Sequence, residues 1–444
     1  MYDDLRNAVA GDFDHLRSVL ADLVRIPSVS ADGYDPGEVR RSAEAVAQLL
    51  SGEGLEDVHL LELDDAHPAV FGQIPAPDGA PTVLLYAHHD VQPPGPADEW
   101  VTGPFEPFEK DGRLYGRGAS DDKSGVIMHL GAIRAFGGTP PVGVKVFVEG
   151  EEEIGSRHLP RFLEEYSDLL AADVIVIADA SNWRVGEPAL TTSLRGIAAV
   201  QVELRTLQAA QHSGLFGGLF PDALTALCRL LATLHNDDGT VAVAGLISDE
   251  VEGLEFSEEE AALQAKAVPG LETLGSGSLV SRMWNRPAIS VLAIDAPPVT
   301  EAINQLVPVA RAKVSMRTAP DEDVEKALKA LISHLEANVP WGAEITIQAS
   351  DLGDGHALVT EGAAFEAWKT AMEAAWGRPS VEMGVGGSIP FVAAFSEKLP
   401  GAPILLTGAG DPTSSVHAPN ESLDLADLEK SVLAEAIALR LLGG

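Results

Sequence analysis

Basic residues are scarce in this sequence. Its 444 residues include 30 lysines and arginines but 67 aspartates and glutamates, which gives a formal net charge of −37 at pH 7. Nucleic-acid binding needs a basic face that displaces counterions from phosphates, and an acidic surface is repelled by nucleic acid and by anionic lipid alike. The composition therefore excludes both partners and favours an enzyme or a protein that binds cations.

Cysteine and long apolar runs are scarce as well. The single cysteine, Cys228, cannot form an internal disulfide, and its place in the apolar stretch 223–234 predicts a small buried side chain. The longest apolar runs, such as 83–87 and 174–178, have the length of strands and fall far short of the roughly 18 residues of a membrane span. The start of the chain has neither the basic leader nor the apolar segment of a signal peptide, so we expect a cytoplasmic protein.

The first part of the chain alternates between apolar strands and helices. Strands are predicted at 82–87, 143–148 and 174–178, and helices at 4–24 and 122–137. Strands that are apolar on both faces are typical of a largely parallel sheet with helices on either side. The sequence therefore predicts an α/β fold for this part of the chain.

A different pattern begins near residue 191. The predicted elements are a strand at 196–204, a helix at 221–234, strands at 288–294 and 309–317, a helix at 321–337 and a strand at 343–348. This is the βαββαβ order of a ferredoxin-like domain. We expect residues 191–350 to form such a domain, inserted into a larger domain made of 1–190 and 351–444. The acidic stretch 249–277 is expected to be a surface insertion.

Acidic and histidine residues follow several of the predicted strands. His88 and Asp90 come after the strand 82–87, the acidic run 149–153 follows the strand 143–148, and Asp179 follows 174–178. Asp121 opens a predicted helix, and His417 lies in a loop after a strand at 403–407. Open α/β sheets bind their ligands at the carboxyl ends of the strands. The positions therefore favour one shared site.

Each cluster also has a structural interpretation when it is taken alone. His88 and Asp90 are then polar residues that close a strand, Asp121 is a helix N-cap, the run 149–153 is a solvated helix terminus, and His417 belongs to a surface loop. Together, however, the clusters supply two imidazoles and several carboxylates without a thiolate. That donor set suits a pair of divalent metal ions bridged by one carboxylate. A serine-nucleophile motif of the form G-x-S-x-G is absent from the sequence.

The order of these motifs resembles that of the co-catalytic metallopeptidases, the family of carnosinase-type dipeptidases, aminoacylase and succinyl-diaminopimelate desuccinylase. The likeness is greatest to the dipeptidase branch and spans nearly the whole chain. The segments that carry it are 86–94, 116–125, 149–156, 177–179, 212–214, 386–390 and 417–421. The resemblance implies a two-domain α/β protein, with a catalytic domain that binds metal and an inserted domain that serves as lid and dimerisation domain.

The resemblance also implies two metal sites that share a carboxylate. One ion is expected on His88 and Asp179, and the second on Glu153 and His417. Asp121 is expected to bridge the two ions. Zinc is the first expectation for both ions, with manganese or cobalt as alternatives, because carboxylates and imidazoles serve all three metals.

Two further acidic residues have implied roles near these ligands. Asp90 is expected to orient His88 by accepting its other ring N–H. Glu152 matches the general base of the family, which takes a proton from a metal-bridging water and delivers it to the leaving amine. The peptide bond between Asp121 and Asp122 is expected to be cis. Asp122 stands where many members of the family have asparagine.

The remaining implied residues concern substrate and subunit contacts. His212 matches a histidine that stabilises the oxyanion in the partner subunit's active site, which implies a homodimer built through the inserted domain. Arg317 matches an arginine that binds the terminal carboxylate of the substrate. Ser388 and Gly387, in a glycine-rich loop, are expected to assist there.

These expectations leave three functions open. The first is a metal-dependent dipeptidase that hydrolyses unblocked dipeptides. The second is an N-acyl-amino-acid deacylase that uses the same metal centre. The third is a metal or peptide binder without catalysis, which Glu152 argues against, because holding metal ions needs no general base.

Overall fold

The computed structural model describes residues 2–251, 254–387 and 390–444 of the chain. Up to residue 194 its helices are α1 (Asp3–Val24), α2 (Pro36–Gly52), α3 (Lys123–Arg134), α4 (Leu159–Glu165) and α5 (Ser167–Leu170). The strands of the same part are β1 (Glu56–Leu61), β2 (Ala69–Ile74), β3 (Thr82–His88), β4 (Phe108–Lys110), β5 (Arg113–Tyr115), β6 (Gly143–Glu149), β7 (Val174–Ile177) and β8 (Ala189–Leu194).

The middle of the chain is richer in strands. Its helices are α6 (Ser213–Phe216), α7 (Ala223–Ala232), α8 (Glu258–Gln264), α9 (Leu279–Trp284) and α10 (Val324–Ala337). Its strands are β9 (Gly196–Arg205), β10 (Gln211–His212), β11 (Ala288–Asp295), β12 (Gln305–Leu306), β13 (Val309–Thr318), β14 (Glu344–Gly353) and β15 (His356–Ala357). The last part contains α11 (Ala363–Trp376), β16 (Val381–Val385), α12 (Pro390–Lys398), β17 (Ile404–Leu406), β18 (Ser422–Asp424) and α13 (Leu425–Gly443).

The chain divides into two compact units. Unit 1 comprises residues up to 192, 358–383 and those from 390 onward, and unit 2 comprises 193–357 and 384–389. The second boundary lies later than the predicted residue 350 because β14 continues to Gly353 and β15 follows it. The segment from Gly384 also differs from the prediction, which placed it in the larger domain. A Cβ on Gly384 would come within 2.6 Å of Trp284 Cβ, so this backbone packs closely against α9 of unit 2.

The core of unit 1 is a mainly parallel sheet. Its strands lie in the order β1-β2-β6-β3-β7-β17-β8. The pairs β6–β3, β3–β7 and β7–β17 are parallel, while β1 and β2 add an antiparallel edge. Strands β3 and β7 are almost wholly buried, as strands covered on both faces must be. The predicted α/β fold is confirmed.

Three helices of unit 1 contribute buried residues to its core. The apolar stripe of α1, which includes Leu5, Leu16 and Leu20, is buried in the main core. Helices α3 and α13 bury most of their residues, among them the polar His129 and Glu435. None of the helices described is both long and apolar enough to cross a membrane.

Unit 2 has its own sheet and core. Four antiparallel strands lie in the order β11-β13-β9-β14, which is the ferredoxin-like arrangement of the predicted βαββαβ order. Helices α7 and α10 contribute Leu227 and Leu331 to a core that also holds Val200 and Val314. In the acidic stretch the structure describes one short helix, α8, whose N-terminus has a capping box of Ser257 and Glu260.

The prediction for Cys228 is wrong, because this thiol is exposed. The buried positions of α7 are Ala223, Ala226, Leu227, Leu230 and Leu231, which form a stripe along one side of the helix. Residues in a helix advance by about 100° each, so Cys228 falls beside the stripe rather than in it. The apolar composition of the segment hid this periodicity.

Candidate metal centre

The parallel strands of unit 1 bring polar side chains together at their carboxyl ends. His88 is the last residue of β3 and is in register with Glu149, the last residue of β6. Asp179 comes two residues after the end of β7, the other neighbour of β3. As a result His88 Nε2 lies 3.9 Å from Asp179 Oδ2. His88 and Asp179 are therefore close because β3 and β7 are neighbours in the sheet, although they are far apart in the sequence.

Asp121 lies between two histidines. Its Oδ1 is 3.0 Å from His88 Nε2, and its Oδ2 is 2.9 Å from His417 Nε2. His417 Nε2 is also 3.2 Å from Glu153 Oε2. One carboxylate thus contacts two imidazoles through two different oxygens. This is the arrangement that a carboxylate needs if it is to bridge two cations.

The loop that carries His417 has an unusual backbone. His417 has a φ of 62°, and Ser415 and Asn420 also have positive φ. Residues other than glycine seldom adopt this left-handed conformation, and those that do cluster at functional sites. Hydrogen bonds to Asp121 and Glu153 raise the pKa of His417 to about 10.

Two groups of possible ligand atoms emerge from the described residues. One contains His88, Asp122 and Asp179, and the other contains Asp121, Glu153 and His417, with the atoms of each group within 4.8 Å of one another. Asp122 was not among the expected ligands. Its Oδ1 accepts a hydrogen bond of 3.2 Å from the backbone N–H of Gly125, and its Oδ2 one of 3.2 Å from that of His88.

Asp122 is also the N-cap of α3. The sequence leaves open that Asp121 is the N-cap of this helix, but the N-cap is its neighbour Asp122. The carboxylate of Asp121 instead contacts both histidines. The peptide bond between Asp121 and Asp122 is cis, as the family resemblance implies.

Asp90 is fully buried and connects several parts of the site. Its Oδ1 lies 3.3 Å from His88 Nδ1 and accepts a hydrogen bond of 3.2 Å from the backbone N–H of Glu152. Its Oδ2 accepts one of 3.1 Å from Glu153 N–H and one of 2.6 Å from the hydroxyl of Ser30. Burial alone would raise the pKa of Asp90, but the hydrogen bonds from His88 and Ser30 outweigh burial, and the pKa lies below its usual value.

The electrostatics of the cluster indicate whether cations suit it. Burial raises the pKa of Glu152 and Glu153, and it raises that of Asp179 to about 7; the negative charge of Asp121 adds to the increase in each case. Buried carboxylates that repel one another are stabilised by a cation. Oxygen and imidazole nitrogen donors without thiolates are ligands of zinc, manganese and cobalt. The residues present therefore fit a pair of divalent cations.

Glu152 differs from its acidic neighbours. Its Oε2 is 3.9 Å from His88 Nε2, and it belongs to neither group of ligand atoms. Glu151, the residue before it, is buried and faces elsewhere: its carboxylate accepts hydrogen bonds of 2.8 Å from the backbone N–H of His67 and 2.8 Å from the ring of His158. Glu152 is thus a carboxylate that lies in the cluster but belongs to neither group of candidate metal ligands.

Two residues that sequence reasoning missed support the cluster. Gln92 donates its backbone N–H to Glu153 Oε1 at 3.0 Å and its amide to the Glu153 carbonyl at 2.9 Å. Ser30 donates to Asp90, as described above. Gln92 lies inside a segment of the family resemblance and could have been suspected. Ser30 follows α1, and no local signal marks it.

The remaining predicted residues lie in unit 2 or outside the described chain. His212 is exposed at the end of β10, and its Nδ1 accepts a hydrogen bond of 3.0 Å from Gly214 N–H. Arg317 lies on β13 between Ile197 and Ala288, and burial lowers its pKa. Gly387 lies two residues after β16, and a Cβ added to it would meet no atom within 4 Å. Ser388 lies outside the described residues.

Known proteins match this chain over most of its length. The model of peptidase family M20/M25/M40 matches residues 84–440. A cysteinylglycine-S-conjugate dipeptidase of Corynebacterium striatum is 34% identical over 403 residues, which cover 89% of this chain and 88% of the relative.

Two solved structures are similar in fold. The dipeptidase Dug1p of Saccharomyces cerevisiae has a TM-score of 0.83 at 24% identity, over 99% of this chain and 98% of its own. Human carnosine dipeptidase 1 has a TM-score of 0.82 at 24% identity, over the same shares of the two chains.

Proposed function

This chain belongs to peptidase family M20/M25/M40, and from that premise we propose that it is a metal-dependent dipeptidase that hydrolyses unblocked dipeptides. The observation that carries the proposal is the position of Asp121, which contacts His88 and His417 through different oxygens. The name of the Corynebacterium striatum relative supports the choice of substrate class. Enzymes of this kind need a metal site, a proton carrier and a binding site for the ends of the substrate.

The proposed metal ligands fall into two sets with one shared member. His88 and Asp179 would hold one ion, Glu153 and His417 would hold the other, and Asp121 would be shared by both. A pair of divalent cations, zinc in the first instance, would supply Lewis acidity that lowers the pKa of water and polarises a carbonyl oxygen. His88 Nδ1 lies 3.1 Å from the backbone carbonyl oxygen of Asp90 and 3.3 Å from its Oδ1, so Asp90 can accept the Nδ1 proton and leave the Nε2 lone pair of His88 for an ion.

Glu152 is the proposed general base. Its carboxylate lies in the cluster but outside both ligand groups, so it is free to accept a proton from the attacking water. The same oxygen can then deliver that proton to the nitrogen of the leaving amine, which completes the hydrolysis with no net change in the enzyme. Its backbone is held by Asp90, which limits its drift from this position.

The proposed contacts to the substrate's carboxyl end lie in unit 2. Arg317 presents a planar guanidinium that suits a terminal carboxylate, and Ser388 and Gly387 assist it. The opposite end of an unblocked dipeptide is a free α-ammonium. An acidic chain with a net charge of −37 favours such a cation over an acylated amine.

A homodimer built through unit 2 is also part of the proposal, with His212 contributing an oxyanion contact to the partner's site. Supporting this, β11 is an edge strand of the sheet of unit 2 and exposes Val291, Leu292 and Ile294. Apolar edge strands are surfaces that proteins usually cover. The cytoplasmic location remains a prediction.

The test of this function is a matched substrate panel. Unblocked dipeptides, their N-acetylated forms and simple N-acyl amino acids are incubated with protein loaded with zinc or manganese, beside a chelated control, and released amino acids are quantified by chromatography. Cleavage of the unblocked dipeptides alone, abolished by the chelator, is expected. Cleavage of acylated substrates alone would assign a deacylase, and no cleavage by the metal-loaded protein would assign a binder.

A further inference from the structure

Glu421 is a buried carboxylate four residues after His417, and its side chain has 0% exposure. It faces the loop that carries Asp121, a segment 300 residues away in the sequence. Four donors converge on it: Arg117 Nη1 at 2.7 Å and Gly118 N–H at 3.1 Å bind Oε2, and Ser120 N–H at 2.9 Å and Asp121 N–H at 3.1 Å bind Oε1.

The backbone of this loop is shaped to reach the carboxylate. Gly118 has a φ of 84°, and a Cβ at this position would lie 2.6 Å from Val91 Cγ1, so only glycine fits the bend. The carbonyl of Glu421 also accepts a hydrogen bond of 2.9 Å from Gly116 N–H. Residues 116–121 are therefore fastened to Glu421 through both its side chain and its backbone.

The donor pattern requires a carboxylate rather than an amide. Each oxygen of Glu421 accepts from two donors, and an amide has only one oxygen. A glutamine here would direct its NH2 group at two N–H donors, whichever way it was turned. The loop would then have to move away, and Asp121, whose own N–H is among the donors, would move with it.

We propose that Glu421 is a positioning residue that fixes Asp121 relative to His417 and thereby sets the affinity of the site for its cations. The inference rests on the proposed metal centre. It assigns to Glu421 a role between two loops: the one that ends at Asp121 and the one that begins with His417. A residue that only stabilised the fold would leave metal affinity unchanged once the protein had folded.

The test compares wild type with Glu421→Gln and with a matched control, Glu435→Gln. Glu435 also has 0% exposure, but its carboxylate accepts from His129 Nδ1 at 2.9 and 3.0 Å, in the contact between α13 and α3. Each protein is stripped with a chelator and titrated with Co²⁺, and binding is followed by calorimetry and by visible absorption. Thermal unfolding of the stripped proteins measures the general cost of each substitution.

We expect Glu421→Gln to bind at least one Co²⁺ ion about tenfold or more weakly and to change the visible spectrum, as substitution of a group that orients metal ligands does. Glu435→Gln should keep wild-type affinity and spectrum even where its unfolding temperature falls as far. Wild-type affinity and spectrum in Glu421→Gln would overturn the proposal.

Two further outcomes keep the test decisive. If Glu421→Gln does not fold, Glu421→Asp is measured in the same way, because it keeps the charge that pairs with Arg117 and shortens the side chain by one methylene. It should also weaken binding, and unchanged binding would overturn the proposal. If wild type itself binds no pair of ions, the proposed function fails, and this inference fails with it for a reason that the wild-type titration identifies.

Discussion

Substitution of Glu152 by glutamine removes a proton acceptor while leaving the shape of the site intact. Glu152 Oε2 lies 3.9 Å from His88 Nε2, whereas the contacts of Asp121 with the two histidines are 3.0 and 2.9 Å. Neither group of candidate ligand atoms includes it. The amide should therefore leave both sets of proposed metal ligands unchanged. What is lost is the ability to take a proton from water.

The expected loss of catalytic rate is that of a missing general base. A positioned general base contributes roughly 10²- to 10⁴-fold to a rate, which corresponds to about 3–5 kcal/mol of the activation barrier. Because metal binding and substrate binding do not involve Glu152, the decrease should appear in kcat, with KM altered far less. We thus expect Glu152→Gln to retain full metal content and to lose at least about a hundredfold in kcat on an unblocked dipeptide.

The adjacent residue provides a matched control. Glu151 is buried beside Glu152 but pairs with His67 and His158, so Glu151→Gln makes the same chemical change away from the cluster. Its kcat should stay within a few-fold of wild type, although its stability should fall by about 1–3 kcal/mol because a buried partner is lost. Steady-state kinetics with metal analysis checks both variants. A Glu152→Gln enzyme with normal metal content and near wild-type kcat would refute the role of Glu152.

Four other substitutions test the metal ligands, a buried carboxyl and the proposed substrate contact. Asp121→Asn should weaken the binding of both ions by at least about tenfold, because each oxygen of Asp121 contacts a different imidazole. His417→Ala should weaken the binding of only one ion, and calorimetric metal titration distinguishes the two variants. Burial raises the pKa of Glu149 from 4.5 to about 8, so the folded state holds a proton that the unfolded chain releases, and stability should fall by up to about 4 kcal/mol between pH 5 and 8. Urea unfolding at several pH values should show a smaller decrease in the free energy of unfolding for Glu149→Gln than for wild type. An equal decrease in the two proteins would contradict the role of Glu149. Arg317→Lys should raise KM for dipeptides by about tenfold with metal content unchanged, since it loses a bidentate contact with the carboxylate; an unchanged KM would remove Arg317 from the substrate site.

The sequence was sufficient to locate the strands that carry the cluster. Strands β3, β6 and β7 are short and mainly apolar; β3 ends at His88, β6 ends at Glu149, and Asp179 comes two residues after the end of β7. Parallel pairing then brings His88 and Asp179 to one edge of the sheet. These features depend on local composition and on general rules of sheet topology, which a sequence displays directly.

Contacts between distant segments could not be predicted in this way. The distinction between Asp121 and Asp122 depends on which carboxylate caps α3 and which faces the two histidines. The hydrogen bonds of Ser30 to Asp90 and of Glu421 to the 116–121 loop join residues 60 and about 300 positions apart. Only a folded chain determines such pairings, because many polar residues of the sequence could serve as partners.

Periodicity and boundaries account for the remaining differences. Cys228 lies in an apolar segment, but α7 buries only a stripe of residues that are spaced three or four positions from one another. Cys228 lies outside this stripe and is exposed. The segment from Gly384 belongs to unit 2 because it packs against Trp284, which follows from shape rather than from composition. Neither feature changes the composition of the candidate site.

Metal reconstitution tests the central claim most directly. The chelated protein is titrated with zinc or manganese, and the hydrolysis of one unblocked dipeptide is measured against the number of ions bound per chain. The account predicts no activity without metal and a rise that saturates when two ions are bound. Full activity in the chelated protein, or saturation with a single bound ion, would contradict a centre in which Asp121 bridges two cations.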